Sequence, residues 1–70
     1  KLTYKEKLEY QQLEKDIDQL ELEKKTLEAD MESYASDAEK TVELVERYGV
    51  VEKELDEKSN RWLELAELDN

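Results

Sequence analysis

Cysteine, histidine, proline and phenylalanine are absent from these 70 residues, and glycine occurs once, at Gly49. Each absence excludes something. Without Cys or His there is no disulfide, no thiol or imidazole nucleophile or base, and no soft metal ligand. Without Pro and with a single Gly, the chain lacks the punctuation of sheets and tight turns, and a phosphate-cradling G-x-x-x-x-G-K-[ST] loop or dinucleotide fingerprint cannot be written. Apolar residues make up 37%, too few for a round core in so short a chain. No apolar run approaches the roughly 20 residues of a membrane span. Basic residues are the minority: 21 acids against 11 bases leave a net charge of −10. The first residue is Lys1 rather than Met, which reads as a piece cut from a longer protein in a soluble, cytoplasmic setting.

What the sequence does contain is period. Tyr10, Leu13, Ile17, Leu20, Leu27, Met31 and Tyr34 alternate in steps of three and four, with Lys24 in the one vacant place. A second seam runs Leu44, Tyr48, Val51, Leu55, Trp62 and Leu65, with Lys58 in its vacancy. Thr3-Tyr4-Lys5-Glu6 and Ser36-Asp37-Ala38-Glu39 both have the form of a capping box, in which a hydroxyl caps a backbone amide and a Glu three residues on reaches back. The fold class that follows is all-α: a two-helix antiparallel coiled-coil hairpin, helix one about 4–32, loop about 33–36 and helix two about 37–68, forming one domain over 1–70. Gly49 is expected inside a continuous second helix, with room for a bend.

With Ile17 and Tyr48 at heptad position a, the g positions hold Glu9, Asp16, Glu23 and Asp30 on one helix and Lys40, Arg47, Glu54 and Arg61 on the other. Because g faces g in an antiparallel pair, folding back about residue 35 sets Asp30 by Lys40, Glu23 by Arg47, Asp16 by Glu54 and Glu9 by Arg61. Three of these four are attractive. Such pairs select register and orientation more than they stabilise.

Candidate chemistry is sparse. Carboxylates are plentiful, but a two-helix ribbon offers no cavity to desolvate a pair of them. Asp16 with Asp18, or Asp56 with Glu57, lacks the loop geometry of a calcium site, so no metal is assigned. Lys24 and Lys58 have two readings, as polar positions that set register and as contacts for a phosphate-bearing partner. Trp62 beside Arg61 either packs in the seam or stacks on a base. Off the seam, Leu2, Tyr4, Leu8, Leu63 and Leu68 gather at the open base, as end-packing or as a docking patch for a neighbouring domain.

The opening Leu2-Thr3-Tyr4-Lys5-Glu6-Lys7-Leu8-Glu9 resembles the L-S-Y-K-E-x-x-E-[LE] start of the C-terminal domain of ABC-F ATPases of the Uup type. Leu13, Ile17, Leu20 and Glu21 fit that domain's L-x-x-x-I-x-x-L-E run, and Arg61-Trp62 with Leu65 its closing R-W-x-x-L. Where many relatives have Asp-Pro and a longer loop, this chain has Ser-Tyr-Ala-Ser-Asp. The resemblance implies a parent with two ATP-binding cassettes, whose ATP and magnesium would sit in those domains and not here. It implies a non-catalytic hairpin with the ATPase domains of the same chain, and DNA or ribosome, as partners; the isolated hairpin itself is expected to be a monomer. The cations of a DNA-binding role map onto Lys5, Lys7, Lys24, Lys25, Arg47, Lys53 and Arg61. The alternative is a structural spacer or dimerising coiled coil that touches no nucleic acid.

Overall fold

The computed structural model describes residues 1–69. It consists of two helices, α1 (Tyr4–Ser33) and α2 (Ala38–Asp69), packed antiparallel in a rod of 51 × 16 × 14 Å. At about 1.5 Å per residue each helix runs nearly the whole length of the rod.

Helix α1 starts with the expected capping box: Thr3 Oγ1 accepts from the Glu6 amide at 3.2 Å, and the Thr3 amide donates to Glu6 Oε1 at 2.9 Å. The start of α2 differs from expectation by one residue. Asp37, not Ser36, is the cap, its Oδ1 accepting from the Lys40 amide at 3.0 Å while its carbonyl takes the Thr41 amide. The third helical position is therefore Lys40, which cannot reach back, so the second box is one-sided. Between the helices the turn is tied down by its own bonds. Tyr34 donates its amide to Asp30, its carbonyl accepts from both the Asp37 amide and the Thr41 hydroxyl, and Lys40 lies 5.5 Å from the Tyr34 ring centroid. No described residue needs a left-handed backbone. Helix α2 passes through Gly49 without interruption.

The seam is buried unevenly. Every leucine or valine at heptad position d is buried: Leu13, Leu20 and Leu27 on α1, Leu44, Val51 and Leu65 on α2. The a positions along the seam (Tyr10, Ile17, Lys24 and Met31, with Thr41, Tyr48, Leu55 and Trp62) are half-buried. Two helices alone cover one flank of each other, and a third surface would be needed to close the a side. The core is also divided along its length. Leu20, Leu27, Leu44 and Val51 form one cluster towards the loop, and Leu2, Leu13 and Leu65 form a second at the base. Lys58 occupies the d position between Val51 and Leu65, where the two clusters part.

Candidate functional site

Along the g side the helices are joined by charge. Arg47 grips Glu23 with two parallel bonds, the Nη2 donating to Oε1 at 2.8 Å, and Arg61 grips Glu9 likewise at 2.8 and 3.0 Å while also reaching Glu64. These are two of the pairs expected from the fold-back register. The other two differ. Asp16 shares its stretch of the flank with Glu54, as the register sets it, but accepts from Lys58 at 3.0 Å, because a Lys at d runs its stem along the seam and surfaces at the flank. Lys40 turns to the Tyr34 ring rather than to Asp30. Hydrogen bonds to these cations hold the Glu9 and Glu23 carboxyls below their ordinary range, and raise Arg47 and Arg61. Asp16 is lowered by its bond from Gln12 first and Lys58 second.

The seven candidate nucleic-acid contacts do not converge. Arg47 and Arg61 are committed to carboxylates, and Lys24 reaches Glu52 at 3.7 Å while lying 5.7 Å from the Tyr48 ring. Lys24 and Lys58 thus both snorkel out of the seam, the register-setting geometry. Lys5, Lys7, Lys25 and Lys53 are exposed and make no ion pair among the described residues. They occupy positions c, e, b and f, spread around the rod rather than along one stripe.

The base patch is only partly a patch. Leu2 is 9% exposed and packs with Leu13 and Leu65, so of the two readings it takes end-packing. Tyr4 is 77% exposed, and Leu8, Leu63 and Leu68 are also open to solvent. Helical geometry sets Leu63 on one flank of the rod and Leu68 on the other. Trp62 stacks on Tyr10, ring centroids 5.3 Å apart and planes 15° from parallel, and its Nε1 donates to Glu14 at 3.3 Å. It is half-buried, not wholly inside, because it holds an a position on the open flank.

That open flank carries a groove with no counterpart in the expectations above. Two adjoining depressions of about 540 and 510 Å³ share Ser59 as a wall. Ile17, Trp62 and Leu63 line one, Leu55 the other, and the carboxylates of Glu14, Asp18, Glu21, Glu28, Glu52 and Asp56 surround them, with Lys24 and Lys25 the only cations. Tyr48 donates to Glu28 at 2.8 Å, a bond to the carboxylate that pushes the phenol up to about 12. The sequence signal for it lies in the e positions: Glu14, Glu21 and Glu28 against Val45, Glu52, Ser59 and Ala66. Among the described residues no group of His, Cys, Asp or Glu has the arrangement to hold a metal ion, and no helix is long and apolar enough to cross a membrane.

Residues 1–67 match the ABC transporter C-terminal domain. The chain belongs to that family. It is also 39% identical over 66 residues to the uncharacterized ABC transporter ATP-binding protein YfmR of Bacillus subtilis (strain 168), a match that covers 94% of this chain and 10% of that relative. No solved structure matches. As an ABC transporter C-terminal domain the hairpin is not itself catalytic, and the motif residues that carried the resemblance have structural employment. Thr3 and Glu6 cap α1, Glu9 and Arg61 bridge the helices, and Trp62 and Leu65 close the base.

Proposed function

We propose that this domain is a non-catalytic interaction arm of a soluble, cytoplasmic ABC-F ATP-binding protein, docking against the ATPase domains of its own chain and touching DNA or ribosome only weakly. The carrying observation is the state of the seven candidate cations: Arg47, Arg61 and Lys24 are bound to carboxylates, leaving Lys5, Lys7, Lys25 and Lys53 dispersed on a body of charge −10. Phosphate contact through a few scattered lysines has no base readout and competes with long-range repulsion. Its contribution in a parent protein would come from tethering, which raises effective concentration at a site already engaged. ATP and magnesium belong, on this reading, to the parent's ATPase domains. The exposed Tyr4, Leu8, Leu63 and Leu68 offer separate apolar contacts around the base for interdomain docking.

A salt titration of binding to duplex DNA, single strands and ribosomes tests this. Binding should be weak and should fall steeply with salt, and Lys5→Gln, Lys7→Gln and Lys25→Gln together should reduce the salt slope. Tight binding indifferent to salt would contradict the mechanism. No binding to any of the three at low salt would favour a purely structural hairpin.

A further inference from the structure

The two flanks of the rod are built for opposite purposes. On the g side Arg47, Lys58 and Arg61 each cross to a carboxylate of α1 and seal the flank. On the e side α2 presents the short Ser59 and Ala66 where long cations would be needed, and α1 presents Glu14, Glu21 and Glu28. Lys24 to Glu52 is the one ion pair on this flank among the described residues, and it is looser, at 3.7 Å. The result is a groove with an apolar floor and acidic rims, running from Glu14 to Glu28, about 20 Å or four helical turns at the α-helical rise.

We propose that this groove is the docking site for a Lys- or Arg-bearing amphipathic helix of a protein partner. Ile17, Leu55, Trp62 and Leu63 supply the floor for its apolar stripe, and the helix would cover the half-buried a positions that two helices leave open. Asp18, Glu21 and Asp56 supply the charge: each lines the groove and none has a hydrogen-bond or ion-pair partner among the described residues. Their carboxylates can therefore turn to an incoming ammonium or guanidinium without giving up an existing contact. The same rims repel the alternatives. Nucleic acid and anionic membrane bring negative charge, and a second copy of this chain brings the same carboxylates.

Trp62 is the sole tryptophan and lies in the groove, so its emission reports occupancy directly. The probe is a synthetic amphipathic Leu–Lys helix of about five turns, with a Leu–Glu helix of the same pattern as control. At physiological salt the Leu–Lys helix should shift Trp62 emission saturably and the Leu–Glu helix should not. Asp18→Lys, Glu21→Lys and Asp56→Lys together should weaken the interaction by at least about tenfold. The same charge change on the outer face, through Glu39→Lys, Glu43→Lys and Glu57→Lys, should weaken it by less than about threefold. Ser59→Leu, which fills the shared wall without altering charge, should abolish the shift while circular dichroism stays helical. Equal weakening by the two triple variants would reduce the effect to bulk attraction and overturn the proposal. So would an absent shift, a shift produced by duplex or single-stranded nucleic acid instead of peptide, or a concentration-dependent shift of the chain alone with sedimentation as a dimer.

Discussion

The Lys58 ammonium rests 3.0 Å from the Asp16 carboxylate, at the head of a side chain that occupies a core slot between Val51 and Leu65. A polar residue at such a place specifies register at a cost in stability, because its stem packs less well than leucine and its head must leave the seam. Lys58→Leu should join the two apolar clusters and raise stability by about 1 kcal/mol. It should also make the hairpin prone to self-association, seen as a higher urea midpoint together with a heavier species in sedimentation. A lower urea midpoint would mean that the contact with Asp16 outweighs the packing it displaces.

Gly49 sits within α2 at an ordinary helical backbone angle, and a Cβ built on it would meet nothing within 4 Å. Gly49→Ala should therefore stabilise by about 1 kcal/mol through helix propensity and reduced chain entropy. For a domain of this size that is a rise in melting temperature of about 4–8 °C. A fall would reveal a requirement for the bare backbone that this geometry does not contain.

Two windows of pH should matter, with opposite signs. Glu9, Asp16 and Glu23 are held below their ordinary values, so their contribution is complete above the unfolded values of 4.5 for Glu and 3.8 for Asp and is lost as pH falls through the lowered ones. The gap in melting temperature between the parent chain and the Glu9→Gln, Asp16→Asn, Glu23→Gln variant should be widest near neutrality and close in acid. Tyr48 runs the other way. Its folded value of about 12 lies above the ordinary 10.0, so its contribution is intact below pH 10 and is lost as pH rises towards 12. In an absorbance titration one of the four tyrosines should ionise last, and Tyr48→Phe should remove that late step.

Trp62 is half-buried against Tyr10, so full-burial arithmetic overstates its worth. Trp62→Ala should cost about 1–2 kcal/mol, less than the 3 or more typical of a tryptophan sealed in a core. In urea melts Tyr10→Ala should cost less on the Trp62→Ala background than alone, since the stacked pair is then already broken. Additive losses would mean that each ring packs separately.

Periodicity made the seam legible: the buried Leu13, Leu20, Leu27, Leu44, Val51 and Leu65 are all on it. The register was legible at Glu23 with Arg47 and Glu9 with Arg61, because arginine at g has one carboxylate directly across. The bond from Lys58 to Asp16 was not legible, since a lysine emerging from d reaches a carboxylate that heptad position alone sets opposite Glu54. The cap of α2 was displaced because Ser36 and Asp37 are both capable caps and the choice depends on how Tyr34 closes the turn. The groove depends on side-chain length at e, on Ser59 above all, and a reading of g charges alone passes over it.

The parting of the core at Lys58 makes the molecule two short zippers in series rather than one long one. Each half has its own apolar cluster, and the loop half is additionally joined by its covalent turn. Fraying therefore begins at the base, where separation of the helices disrupts Leu2, Leu13, Leu65, the Tyr10–Trp62 stack and the Arg61–Glu9 pair while Leu27 and Leu44 stay closed. Amide exchange should divide at the same place, with base amides opening at lower free energy than those beside the loop. Anything that grips the rod between Glu14 and Trp62 acts on the half that opens first, and so draws the weaker zipper shut.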